Sequence, residues 1–267
     1  MFNRYIYEMF LKRNGRLAVT VSVTSGLLFF LLAALFPDMD PHEARLISAS
    51  WPDIMKDLFG DPALAFADIY AWLNLQVFHI TSWAIYGVTA SILSARVIAQ
   101  EREEKTLELL LSCPVSRVGV LISGAAGIGT LMLLSIVPGI VGCGIGVISS
   151  GEELFLYPLL LAGTACLLIS MVFGVISLLI SVCGGSQTLS ISVTLALISL
   201  FFLQSEMLSS LLPVLKHLLC ISPFHYYRVD DMLILGIYDY SALLLLALQS
   251  LIILSIAGVV FSRRDIS

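Results

Sequence analysis

The feature that most constrains this chain is a series of apolar blocks, most of them 20 residues or longer, separated by short charged or glycine-rich segments. A helix crosses the hydrocarbon core of a bilayer, roughly 30 Å, with about 20 mostly apolar residues. Residues 17–36 form the first block, carry no charge and stop at Pro37-Asp38. Lys12, Arg13 and Arg16 precede it, as they would a signal peptide. The block is long for a signal and no A-x-A cleavage site follows, so a retained helix is expected. Further blocks occupy residues 71–95, 118–148, 154–182, 188–203 and 241–261, the fifth being the shortest. Hydrophobic residues make up 58% of the chain and charged residues 12%, against about half and a quarter in soluble domains. The expectation is an all-α integral membrane protein with six transmembrane helices in one domain over residues 1–267.

Orientation follows from the basic residues, which favour the cytoplasmic side. With both ends inside, the inner segments hold Arg4, Lys12, Arg13, Arg16, Arg96, Arg102, Lys105, Arg117, Arg263 and Arg264, which is 10 of the 14 Lys and Arg. Acidic residues divide the other way, 13 outside and 6 inside, so the inner side is net +4 and the outer side net −9. An even number of spans is needed for this division, and six satisfies it.

Two further segments have the pattern of surface helices. Phe2, Ile6, Met9 and Phe10 share one helical face while Arg4, Glu8 and Lys12 stand at i, i+4 spacing on another, as in a helix lying in the headgroup layer before the first span. On the outer side, Leu208, Leu211, Leu212, Leu215, Leu218 and Leu219 form an amphipathic stripe too short to span, expected to be re-entrant or interfacial and closed by Ser222-Pro223. Small residues spaced by four (Ser123/Gly127, Ala125/Gly129, Gly142/Gly146, Ser170/Gly174) predict close helix packing.

Several chemistries are missing. None of the four lysines follows a glycine, so there is no Gly-Lys phosphate loop. There is no H-E-x-x-H and no G-x-S-x-G in a span. The five cysteines are scattered without a C-x-x-C pair, and His217 and His225 stand eight apart across Pro223, so no metal site is expected. Ionisable residues deep in the spans, which would mark an ion path, are nearly absent; His79 reads as a hydrogen-bonded or interfacial histidine. A secondary transporter or channel would need such charges or two matched broken helices, and Pro138 with its glycines has no counterpart in the other half. A membrane-embedded enzyme or maturation factor would need clustered polar residues within the spans.

The informative segment is residues 100–117, QEREEKTLELLLSCPVSR. Glu101, Glu103, Glu104 and Glu108 put four acids on the side that otherwise favours bases. Thr106 is suited to cap a helix, Leu107, Leu110 and Leu111 give it an apolar face, and Pro114 ends it. Such a helix, parallel to the membrane, is shaped to dock into another protein; an ordinary solvated connection is the plain alternative.

This segment resembles the loop between the second and third spans of ABC exporter permeases of the second type, where a pattern close to E-R-E-x-G-T-L-E-x-L-L-x-x-P-V-S-R recurs. Glu101, Arg102, Glu103, Thr106, Leu107, Glu108, Leu110, Leu111, Pro114, Val115, Ser116 and Arg117 match in register. The chain departs at Lys105, where the family usually has glycine, a change that bears on the local backbone. Ser222-Pro223-Phe224 and the closing residues 261–266 also match. The resemblance implies a permease subunit of an ATP-driven transporter, most often an exporter, in the cytoplasmic membrane of a prokaryote. It implies a coupling helix at residues 101–114, with Glu101, Arg102, Glu103, Thr106, Glu108, Pro114 and Arg117 as the residues coupled to a separate ABC ATPase subunit. ATP and magnesium would belong to that subunit and no cofactor to this chain. A second copy or a related permease would complete the pathway among membrane lipids, with no nucleic acid involved. Spans one, two and five would rock between inward- and outward-open states. The cargo is not readable from the sequence.

Overall fold

The computed structural model describes residues 3–36, 40–52, 55–56, 62–106, 116–205 and 221–263. Helices follow one another as α1 (Arg4–Ala34), α2 (Pro41–Ser50), α3 (Pro62–Ala65), α4 (Ile69–Leu73), α5 (Thr81–Glu103), α6 (Arg117–Ser149), α7 (Leu156–Val182), α8 (Gln187–Leu203), α9 (Val229–Leu233) and α10 (Tyr240–Arg263). A π turn, Asn74–Phe78, joins α4 to α5, and a 3-10 turn, Pro223–Tyr226, precedes α9. Five helical runs are long and apolar enough to cross a membrane: α1, Ile69–Glu103, α6, α7 and α10. α8, at 17 residues, is apolar but shorter. At 1.5 Å per residue it spans about 26 Å.

Two sequence expectations change. The N-terminal segment is not a separate surface helix that turns into the first span. Asn3 caps α1 by accepting from the amides of Tyr5 and Ile6 at 3.0 and 3.3 Å, and the helix then runs unbroken for 31 residues. Gly15 does not interrupt it, and Asn14, between the two predicted segments, is buried and bonds the Phe10 carbonyl one turn back (3.0 Å). The second span also outlasts its predicted end at Ala95. Arg96 lies inside α5 because its guanidinium donates to the Asn14 side chain on α1 (2.9 Å), and the helix continues to Glu103. The leucine stripe at 208–219, with His217, lies outside the described residues.

α1 lies against α6 along most of its length, and small residues set the distance. A Cβ on Gly142 would overlap the Gly26 carbonyl oxygen, and one on Gly146 would overlap Ala33. Such contact lets backbones approach where no water drives association. Pro138 sits inside α6 and has no N–H for the carbonyl of Leu134. Ser22 of α1 fills the gap, its hydroxyl donating to that carbonyl at 2.9 Å. Ser25 makes the equivalent bond to the Ser135 carbonyl at 3.2 Å.

α7 is the central helix, touching α5, α6, α8 and α10. Ser177 on α7 donates to the Ser91 carbonyl on α5 at 2.9 Å. Towards the other end, Tyr227 donates to the Phe78 carbonyl (3.0 Å), a group left over by the π turn, and meets Ser82 (3.1 Å) and Cys166 (3.2 Å). Phe224 of the Ser-Pro-Phe segment wedges between Trp83, Phe173 and Phe202, with ring centroids 5.1, 5.6 and 5.7 Å away. That packing accounts for the motif before the last span.

The charges separate by end. Arg13, Arg102 and Arg117 all bond at the end where α5, α7 and α10 finish and α6 and α8 begin. Asp68, Glu152, Glu153, Asp230, Asp231 and Asp239 gather near the opposite ends, where Tyr70 donates to the Glu153 carbonyl at 3.0 Å and Arg228 pairs with Asp239 at 3.2 Å.

Candidate functional site

At the basic end, α5 closes in a Schellman turn. The amide of Thr106 donates to the Glu101 carbonyl (2.9 Å) and that of Lys105 to the Arg102 carbonyl (3.1 Å), the paired bonds that satisfy carbonyls at a helix end. This turn needs its central residue in the left-handed region, and Lys105 has φ of +58°. Among the described residues it is the one non-glycine with positive φ. The corresponding turns after α6 and α7 are built the same way, with Gly151 (φ +84°) and Gly184 (φ +93°) in that place.

The side chains of the last turn fan outward to different helices. Glu101, nearly buried, accepts from Arg13 on α1 and from the Thr106 hydroxyl (2.5 Å). Glu104 accepts from the second guanidinium nitrogen of Arg13 at 2.9 and 2.8 Å, and from Gln100 at 2.6 Å. One planar fork therefore bridges two carboxylates, a geometry that arginine offers and lysine does not. Arg102 donates to the carbonyls of Ser181 (3.2 Å), in the last turn of α7, and of Gly185, in the turn that follows it. Glu103 accepts from the amide of Gln187 (2.8 Å), the first residue of α8. A cation on C-terminal carbonyls and an anion on an N-terminal amide both complement the helix dipole.

The hydrogen bonds of Gln100 and Arg13 hold the Glu104 carboxyl below the usual carboxylate range. For Arg13–Glu101 the side chains are 37% and 11% exposed. Breaking such a pair falls between the ~1 kcal/mol of an exposed pair and the ~3–5 kcal/mol of a buried one.

The structure thus brings Glu101, Arg102, Glu103 and Thr106 into one knot. Arg117, at the start of α6, lies apart from it and donates to the Phe261 carbonyl of α10 (3.3 Å). Glu108 and Pro114 lie outside the described residues. Arg13, Gln100 and Glu104 complete the knot and lie beyond the residues that the sequence marks as the site. Spacing offered no sign of Arg13, because its partner Glu101 is 88 positions away. The unexpected acids on the basic side were the available hint.

At the acidic end, His79 stacks edge-on against Phe202 with centroids 6.0 Å apart. It borders a cavity of about 80 Å³ with Asn74, Phe224, Tyr227 and Asp230. Among the described residues no group of three or more His, Cys, Asp or Glu is placed to hold a metal ion.

The family model described as ABC-2 family transporter protein matches residues 17–266. The chain belongs to the ABC-2 transporter family. It is a multi-pass membrane protein and the permease component of an ABC transporter, and membership implies an ABC ATPase subunit as partner. A comparison with curated proteins found no match. In this permease Glu101, Glu103 and Glu104 at the end of α5 each accept a hydrogen bond from another helix, Glu101 buried and the other two exposed.

Proposed function

We propose that this permease forms half of the translocation pathway of an ATP-driven exporter, with residues 101–117 as its attachment to a separate ATPase subunit. The observation that carries this reading is the knot at the end of α5. The chain leaves that knot at Thr106 and re-enters the bundle at Ser116, which caps α6 by accepting from the Gly119 amide at 3.1 Å. Residues 107–115, with Glu108 and Pro114, are thereby carried between two fixed helix ends, one of them tied to three further helices. A force on that segment reaches the bundle directly. Glu101, Arg102, Glu103 and Thr106 act as its footing, Glu108 as the docking charge, and Arg117 as the tie to α10.

In this reading α8 is the fifth span and brings the count to six, and the basic end faces the cytoplasm with both termini, in a prokaryotic inner membrane. A second copy or a related permease encloses the pathway. ATP and magnesium belong to the ATPase, whose closure biases the bundle between inward- and outward-open states. The test is biochemical. The purified chain should hydrolyse no ATP alone and join a hydrolysing complex with its ATPase. Glu108→Arg should weaken co-purification while membrane insertion stays intact. Glu101 and Glu103 already have partners in the chain, so their variants would also disturb the bundle. Hydrolysis by the chain alone, or undiminished co-purification of Glu108→Arg, would count against the reading.

A further inference from the structure

α1 and α6 form a unit, held by the glycine contacts at Gly142 and Gly146 and by the serine bonds to the carbonyls of Leu134 and Ser135. At the basic end, α1 is fastened to α5 by two polar ties. One is the Arg96 bond to Asn14. The other is Arg13, whose guanidinium holds Glu101 with one nitrogen and Glu104 with the other. Glu101 also accepts from the hydroxyl of Thr106, which is the last described residue before the loop. A continuous path of charged and polar contacts therefore runs from the loop, through Thr106 and Glu101, to Arg13 and into α1.

We infer that Arg13 is a positioning residue that delivers displacement of the 107–115 segment to α1. The inference rests on the docking reading above. Arg102 and Glu103 serve α7 and α8, and Arg13 completes the set by reaching α1. Its role needs the fork. Both carboxylates stand on the last turn of one helix, and a single guanidinium spans them so that α1 follows rotation as well as translation of that turn. Lysine at this position holds one carboxylate at a time and transmits part of the motion. A path of this kind is established by coupling and not by proximity, so the experiment must read movement.

Amide hydrogen exchange provides that readout on the permease in complex with the ATPase it co-purifies with, in nanodiscs, with and without ATP and vanadate. In the wild type, the nucleotide-dependent change should cover residues 101–117 and extend into residues 4–20. Arg13→Gln should leave co-purification and the change at 101–117 in place, and reduce the change at 4–20 about fivefold or more, the scale of a working coupling. Arg13→Lys should recover part of it. If Arg13→Gln does not accumulate in the membrane, Glu104→Gln removes one exposed half of the fork and should give a smaller loss in the same peptides. An unaltered change at 4–20 in these variants overturns the relay and leaves the docking reading standing. A wild-type complex with no change at 101–117, or no complex at all, overturns the docking reading and the relay with it.

Discussion

Lys105 offers a test of the turn on which the site is built. Its φ of +58° places an L residue with an unbranched side chain in the left-handed region. For a residue with a Cβ that region costs roughly 1–2 kcal/mol, because Cβ crowds the following carbonyl. Glycine avoids the cost but gives up about 0.4–1 kcal/mol through the larger freedom of its unfolded chain. The difference for Lys105→Gly is therefore a net stabilisation of about 0.7 kcal/mol, or ~2 °C in the unfolding midpoint of a chain this size. Lys105→Ala keeps the crowding and should change the midpoint little. Lys105→Val, branched at Cβ, should lower it, since left-handed geometry is a true outlier for such residues. Thermal unfolding of the three variants in detergent, run beside the wild type, gives the order glycine, wild type with alanine, valine. The reasoning fails if glycine lowers the midpoint, or if alanine raises it as much as glycine does. The first result would mean that the lysine side chain stabilises the turn by more than its backbone costs. The second would mean that removing the lysine, and not relief at φ, produced the gain.

Other perturbations follow from the same structure. Ser22→Ala leaves the Leu134 carbonyl without its cross-helix donor and should cost about 1 kcal/mol. In a Pro138→Ala background, where residue 138 regains an N–H, the same change should cost clearly less, which a double-mutant cycle on unfolding midpoints would read. Gly142→Ala forces α1 from α6, because the obstacle is the Gly26 backbone carbonyl; a loss of about 1–3 kcal/mol is expected. Gly258→Ala on α10, where nothing lies within 4 Å, should be neutral or slightly stabilising by the same measurement. Glu104 supplies a pH signature. Its carboxyl is held below the usual range by Gln100 and Arg13, so its contribution is present above the ordinary carboxylate pKa and is lost as pH falls through the depressed value. The stability difference between wild type and Glu104→Gln should hold constant from about pH 8 to pH 5 and fade only in stronger acid; fading already near pH 6 would contradict the pairing.

Length and charge made the helices legible, because a bilayer demands a run of apolar residues and the side bias of Lys and Arg follows from the membrane itself. The predicted ends at 118–148 and 154–182 differ by no more than two residues from α6 and α7. Misreadings came where charged residues sit inside a helix. Arg96 resembles the start of a loop until Asn14, 82 positions earlier, is seen to receive it. In the site, the motif marked where to look but not what its charges touch. Glu103 was an acid on a basic side, and only the fold reveals the amide of Gln187 beneath it. Pairings across 80 or more positions depend on which helices are neighbours, and a single sequence with apolar spans of similar length leaves that order open.

Why three consecutive charged residues of alternating sign should end α5 has a geometric answer. Successive side chains on an α-helix point about 100° apart, so Glu101, Arg102 and Glu103 sweep some 200° around its tip. The neighbours around that tip are α1, α7 and α8, and each presents a different charge. α1 presents Arg13, α7 ends with the Ser181 carbonyl and that of Gly185 in the turn beyond it, and α8 begins with the amide of Gln187. Negative, positive, negative is the order that matches a guanidinium, a helix C-terminus and a helix N-terminus in turn, with each helix-end contact contributing ~0.3–1 kcal/mol. The match requires that α5 remain helical through Glu103, because a loop beginning at Arg96 would have no fixed 100° step. It also explains the tight stop that follows. The left-handed residue at Lys105 turns the chain away two positions after the last of the three charges, so that the segment beyond leaves from a point braced on three sides.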